Sequence, residues 1–229
     1  GSVYYFGLLV GSFRSERMVV RIGHIRSFSV FMALLCSSVL SLAIFDSTFS
    51  WLVCRFINGI AVAGIFVVVE SWLLCESDQS NRGRILAFYM ITLYGANALG
   101  QLFVQFIDSS SLMPFILIGA IFSLSILPPS LTRLPTPEIQ EESGLNIIAL
   151  FRQSPSAVVG CITEGMIMGA LYSLLPLMLL EDSNRAYSVA TLLAVTMTGG
   201  MLLQYPIGRL SDYIDRRKVM AGVSFFGAF

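Results

Sequence analysis

Long apolar stretches alternate with short polar ones along the 229-residue chain. A helix that crosses the roughly 30 Å hydrocarbon core of a bilayer needs about 20 mostly apolar residues, because it rises about 1.5 Å per residue. The stretches that meet this requirement are Phe28–Phe45, Trp51–Cys75, Ile85–Ile107, Leu112–Thr132, Ser156–Leu180 and Tyr187–Ile207. The pattern therefore predicts an all-α membrane protein.

Two further apolar stretches lie at the ends of the chain. Val3 to Val20 predicts another helix, although its second half carries Arg14, Glu16 and Arg17. Val219–Phe229 is apolar but too short to cross a bilayer. Because a helix that ends in mid-membrane is physically unfavourable, we expect the sequence to be part of a larger membrane protein.

The basic residues lie almost entirely on one side of the predicted membrane. If successive helices alternate in direction, one side receives Arg14, Arg17, Arg21, Arg26, Arg82, Arg84, Arg133, Arg152, Arg209, Arg216, Arg217 and Lys218. The other side keeps only Arg185, and Arg55 lies within a span. Since loops rich in Lys and Arg stay in the cytoplasm, the Arg-rich side is predicted to be cytoplasmic.

Composition excludes several other classes of protein. Only 12% of the residues are charged and the mean hydropathy is +0.78, whereas about a quarter of a soluble domain is charged. A net charge of zero offers no basic footprint for nucleic acid. The four cysteines lie in apolar runs without a CxxC pair, and no catalytic or nucleotide motif occurs. We therefore expect no enzyme activity, no metal and no cofactor.

One long polar segment, residues 133–154, interrupts the apolar pattern. It contains two prolines and three glutamates, followed by a short amphipathic piece, Leu145–Arg152. This composition predicts a cytoplasmic linker. The expected domains are thus a first helical bundle over residues 1–132 and the beginning of a second over residues 155–229.

Two cytoplasmic segments share a motif. Residues 208–218 match G-x-L-x-D-x-x-x-R-R through Gly208, Asp212, Arg216 and Arg217. Asp212 can face a neighbouring helix N-terminus, and the arginines can pair with acids or lipid phosphates. Residues 16–26 are a degenerate echo in which only Arg21, Gly23 and Arg26 hold the pattern.

The first of these segments resembles motif A of the major facilitator superfamily. Arg55–Gly59 resembles motif B, and Gly95–Gln101 lies where the fifth helix carries a glycine motif, here without its common proline. Phe66–Ser71, Asn81–Arg84 and Gln204–Leu210 resemble the YcaD-type bacterial transporters of that superfamily. The resemblance implies two six-helix bundles with a cavity between them. The chain would run from the second helix to the start of the ninth, with helices two to six in the first bundle.

The resemblance also implies a function. It points to alternating-access secondary transport of a small organic solute, as proton-coupled export across a bacterial cytoplasmic (inner) membrane. Protons and membrane lipids would be the other partners, and the complete protein would be a monomer. A symporter or facilitator for sugars or other nutrients, and a transporter-like sensor that moves no solute, remain alternatives.

Charges inside spanning helices are costly, so each is a functional candidate. Arg55 and Glu70 lie fifteen residues apart in one predicted helix, which places them about 60° apart in azimuth and about 22 Å apart along the axis. With Gly59 and Phe66 they form a stripe suited to a cavity wall. The alternatives are a buried structural ion pair for Arg55 and an interfacial position for Glu70.

Further candidates are a carboxyl and a set of polar side chains. Glu164 has no basic neighbour in sequence, and Tyr172 shares its helix face. An isolated carboxyl in an apolar span suits reversible proton binding. The alternative is a protonated or water-facing glutamate near the mouth of the bundle, with no part in coupling. Asn97, Gln101 and Gln105 form a polar stripe that would bind solute or, more commonly, join helices. His24 receives no role, and the glycines of Gly165–Gly169 are expected in helix packing.

Overall fold

A computed structural model of the chain describes residues 2–45, 47–78, 81–104, 112–132, 151–180 and 189–227. Within these ranges the chain is almost entirely helical and contains no β-strand. The helices are α1 (Ser2–Ile22), α2 (His24–Ile44), α3 (Thr48–Cys75), α4 (Arg82–Val104), α5 (Met113–Ser125), α6 (Leu127–Leu131), α7 (Pro155–Leu180), α8 (Val189–Tyr213) and α9 (Arg216–Gly227). The prediction of an all-α protein is confirmed.

Six segments in the described ranges are long and apolar enough to cross a membrane. They are α2, α3, α4, α5 together with α6, α7 and α8. These correspond to the six spans expected from the hydropathy pattern, with bounds that differ by a few residues. Helix α1 forms as predicted but is not among them, because Arg14, Glu16 and Arg17 lie in its second half.

Local sequence explains where two of the helices begin. The Ser47 hydroxyl accepts the N–H of Ser50 at 3.1 Å and so caps the first turn of α3. Gly23 separates α1 from α2 with φ 83°, a left-handed value that glycine adopts without steric cost. The glycine of the degenerate motif therefore makes the sharp turn between two helices.

The span expected over Leu112–Thr132 is broken. Helix α5 ends at Ser125 and α6 begins at Leu127, with Ile126 between them. Pro128 and Pro129 have no N–H, so the helical hydrogen bonds to the carbonyls four residues earlier cannot form. The Ile126 N–H instead reaches the Ser123 carbonyl at 3.3 Å. The expected stretch is nevertheless found as one apolar segment of membrane-spanning length, Met113–Leu131.

Contacts group the chain into two units. In the first (residues 1–76 and 108–183), α1 and α2 pack on α3, and α2 also packs on α5. In the second (residues 77–107 and 184–229), α4 packs on α8 and α9 contacts α8. Most of the predicted linker, residues 133–150, lies outside the described residues. The division into successive bundles at that linker stays a prediction.

Glycines set the closest helix contact of the first unit, between α1 and α3. A Cβ atom on Gly11 would lie 2.7 Å from the Ile60 carbonyl oxygen, and one on Gly59 would collide with the Tyr4 carbonyl oxygen. Small residues stabilise the association of helices by letting their backbones approach closely. In contrast, no described atom lies within 4 Å of a Cβ built on Gly165 or Gly169. The expected packing role of that GxxxG pair is not observed.

The interior of the three-helix group combines an apolar cluster with a polar contact. Val19, Phe31 and Val68 are buried together, one from each of α1, α2 and α3. Nearer the other end of α2, the buried Ser38 hydroxyl hydrogen-bonds the Asn58 side chain of α3. A hydrogen bond between spanning helices satisfies groups that lipid cannot. The two contacts fix α2 against α3 at separate levels.

The glycine contact is testable by a matched pair of variants in the full-length protein. We expect Gly59→Ala to lower the free energy of unfolding by about 1–3 kcal/mol, because the added methyl group overpacks the α1–α3 contact. Gly100→Ala on α4 adds the same group where no atom lies within 4 Å. It should leave stability unchanged or raise it by up to about 1 kcal/mol. Denaturant unfolding in detergent compares them, and equal stabilities would contradict the assigned contact.

Candidate functional site

Arg55 is an exposed cation near the first end of α3. It lies seven residues after Thr48, about 10 Å along the helix axis. Its guanidinium carbon is 4.7 Å from the centroid of the Trp51 ring, one turn earlier, within the range of a cation–π interaction. In the described chain the side chain is exposed and stacked on an aromatic ring, and both its cavity role and its alternative as a buried structural ion pair stay predictions.

The predicted stripe on α3 is divided by a packing contact. Arg55, Phe66 and Glu70 are exposed, whereas Gly59 is buried against α1. The four residues do share one side of α3, as the helical spacing predicted. Gly59 nevertheless belongs to the helix interface, so only the parts of the stripe on either side of it are open surface.

Glu164 lies on the open face of α7. Its side chain is exposed, while Met168 and Tyr172 on the same helix face are half-buried. Helix α7 packs on no other helix within the described ranges. The carboxyl is thus accessible, and no described basic side chain forms an ion pair with it. Its assignment to proton binding is not tested by this geometry and stays a prediction.

The polar stripe on α4 is only partly described. Asn97 is exposed, and its side-chain N–H donates to the Leu93 carbonyl of the same helix at 2.9 Å. Gln101 is half-buried. Gln105 lies outside the described residues. For Asn97 the observed hydrogen bond is internal to α4, so the expected use as a link between helices is not seen.

A cavity of about 400 Å³ opens along α8. Gly200, Leu203, Gln204, Ile207 and Gly208 line it, a set of residues three and four apart that shares one helix face. The Tyr94 ring of α4 comes within 4.0 Å of the position a Cβ would take on Gly200. Sequence reasoning did not select Gln204 as a candidate. The sequence pattern that could have identified Gln204 is its position four residues after Gly200 and four residues before Gly208.

The motif A segment joins α8 to α9. Gly208 is exposed at the cavity, and the Arg217 N–H donates to the Asp215 carboxylate at 2.9 Å. Asp215 therefore caps the first turn of α9, which a carboxylate at a helix N-terminus does well. This role was missed, although an acid just before a helix is its usual signal. The side chains of Asp212 and Arg216 lie outside the described part, so their roles stay predictions.

The degenerate motif surrounds the turn between α1 and α2. Arg21 and Arg26 are exposed on either side of the buried turn, and Gly23 makes it. His24, which received no role, is fully buried: its exposed fraction is 0% and neither ring nitrogen has a hydrogen-bond partner in the described residues. An unpaired buried polar group costs about 1–3 kcal/mol. Hydropathy placed His24 in a solvated loop, and only the fold reveals its burial.

The described residues contain no group of three His, Cys, Asp or Glu side chains that could hold a metal ion. Cys54 is buried and Cys36 donates to the Gly119 carbonyl at 3.3 Å, in keeping with packing roles. Cys75 and Cys161 are exposed. The candidate residues in the described chain are charged and polar side chains along its helices.

Comparison with known proteins places these helices in a family. The sequence matches the family described as "Major Facilitator Superfamily" over residues 1–229. The "Uncharacterized MFS-type transporter YcaD" proteins of Salmonella newport (strain SL254) and Salmonella heidelberg (strain SL476) are each 35% identical to it over 221 residues. The match covers 96% of this chain but 58% of each relative. No solved structure matches significantly. The chain therefore belongs to the major facilitator superfamily, and it is similar to YcaD over a little more than half of that relative's length.

Proposed function

We propose that the protein containing this chain moves a small organic solute across a bacterial cytoplasmic membrane by alternating access, as a proton-coupled exporter. Family membership supports membrane transport, and the relatives are bacterial proteins named as MFS-type transporters. Coupling to protons, outward direction and the cytoplasmic membrane are parts of the proposal. The remainder of the protein would complete the helical bundles and the solute pathway.

One observation carries the proposal more than any other. The three charged side chains predicted inside spanning helices, Arg55, Glu70 and Glu164, are all exposed in the described chain. A charge on the lipid-facing surface of a spanning helix is strongly unfavourable, so such side chains face a water-filled cavity or other protein. Three accessible charges in apolar spans are what a solute and proton pathway requires.

The three side chains are proposed to have two roles, solute binding for the arginine and proton binding for the two glutamates. Arg55 stacked on Trp51 presents a cation beside an aromatic face, an arrangement that attracts a polar or anionic group on an organic solute. Glu164 and Glu70 are carboxyls that can bind and release a proton as they move between water and a dry environment. Asn97, Gln101 and Tyr172 would supply neutral hydrogen-bonding groups to the same pathway.

Motif A is proposed to control the conformational change. Gly208 lies near the end of α8, and the Asp215 carboxylate caps the first turn of α9, which carries Arg217. Asp212 would bind a helix N-terminus in one conformation of the transporter and leave it in the other. Arg216 and Arg217, with Arg21 and Arg26 of the degenerate copy, would contact acids or lipid phosphates at the cytoplasmic surface.

Proton coupling is tested in energised everted vesicles that contain the full-length protein. A panel of organic solutes is added, and loss of the pH gradient reports proton antiport through a pH-sensitive dye. We expect Glu164→Gln to abolish solute-dependent loss of the gradient, because the amide cannot bind the proton. Glu164→Asp should keep part of it. Thr163→Val, a neighbouring exposed position, is the matched control and should behave as the parent. A normal gradient response in Glu164→Gln would exclude that residue as the coupling site.

The gating role of motif A has a separate test. A carboxylate at a helix N-terminus contributes about 1–2 kcal/mol, so Asp212→Asn should slow transport roughly tenfold. Solute binding, measured at equilibrium on the purified full-length protein, should change little. Asp215→Asn is the control, because asparagine caps helices nearly as well as aspartate. Parent-like transport rates in Asp212→Asn would contradict the proposed gating.

A further inference from the structure

His24 is a buried titratable group that the proposed transport pathway does not use. It is the first residue of α2, directly after the Gly23 turn, and it is 0% exposed. Within the described chain neither ring nitrogen has a hydrogen-bond partner, and the buried Ser27 hydroxyl one turn later has none either. Buried polar groups without partners are rare in folded proteins, so each calls for an explanation.

The surroundings of His24 come from three helices. The Trp72 ring of α3 is tilted beside it, with ring centroids 6.1 Å apart and an interplanar angle of 36°. Glu76, just after α3, is the charged group that acts electrostatically on His24. Arg21 in the last turn of α1 and Arg26 in the first turn of α2 are exposed cations near the same turn.

Protonation would change this environment sharply. The neutral imidazole already leaves one donor and one acceptor unpaired, and the imidazolium would have two unpaired donors and a charge at a fully buried position. A protonated ring would regain hydrogen-bond partners by reaching water. Because Gly23 tolerates backbone conformations that other residues avoid, the start of α2 is able to shift.

We propose that His24 is a cytoplasmic proton-binding site that opens the junction of α1, α2 and α3 when the pH falls. In the closed arrangement the imidazole would be neutral, buried beside Trp72. Binding of a proton favours an arrangement in which the ring reaches water and Trp72 moves away. By linkage, the closed junction is stable at higher pH and is lost as protons bind. This regulation is independent of which solute is carried and of whether transport is proton-coupled.

Trp72 provides a direct probe, because a protonated imidazole quenches a neighbouring indole. The full-length protein is made with Trp72 as its sole tryptophan, Trp51 and every other tryptophan being replaced by Phe, and its emission is compared with and without His24→Phe. Acidification from about pH 7.5 to about pH 5.0 spans the range in which histidine titrates. We expect reversible loss of emission with His24 and a flat response with His24→Phe. Identical responses would overturn the proposal.

Thermal unfolding over the same pH range gives a second readout. With His24 present, acidification should lower the Tm by roughly 2–4 °C more than it does in His24→Phe, since one extra proton binds on opening. If His24→Phe does not fold, His24→Gln replaces it in both measurements, because glutamine is polar but does not titrate. Parallel Tm curves for parent and variant would also overturn the proposal. Solute transport enters neither measurement, so failure of the transport proposal is distinguishable from failure here.

Discussion

Close backbone contact between α1 and α3 is the constraint on which the first helical group depends. Where helices lie in lipid, their association is stabilised by van der Waals contact and hydrogen bonds, because the hydrophobic effect does not favour it. Gly11 and Gly59 remove the side chains that would keep the two backbones apart. Helix α2 then packs on α3 through Phe31 and through the buried Ser38–Asn58 hydrogen bond. Arg55 lies on α3 itself, and His24 of α2 contacts Trp72 of α3, so the packing of α3 on α1 and α2 sets the surroundings of both residues.

Helix α3 carries different kinds of functional group near its two ends. Near its start, Arg55 and Trp51 are exposed as a cation and an aromatic ring. Near its end, Trp72 lies beside a buried histidine. An exposed charge in an apolar span is tolerated only beside water or other protein, whereas a buried imidazole is tolerated only while it is neutral. Solute chemistry and proton sensing are thus proposed for opposite ends of α3.

The positions of most helices were predictable, because a long run of apolar residues is visible in the sequence without knowledge of the fold. The six apolar stretches all formed helices of membrane-spanning length, and motif A led to the family that the comparison confirmed. Pro128 and Pro129 divide the fourth of these stretches into two helices at Ile126. Two glycine sites differ in their surroundings. No described atom lies within 4 Å of a Cβ built on Gly165 or Gly169, whose packing role stays a prediction, whereas Gly59, expected in a cavity wall, packs on α1.

The sequence by itself determined which segments are helical and which superfamily the chain belongs to, because both depend on residue type and spacing along one chain. Only the tertiary structure decided which faces of those helices are buried by neighbouring helices. Arg55 is exposed in the described chain, and His24 proved to be buried rather than solvated. The physical reason is that burial is a property of neighbouring helices, and a periodic pattern identifies a helix face without identifying the partner that packs on it.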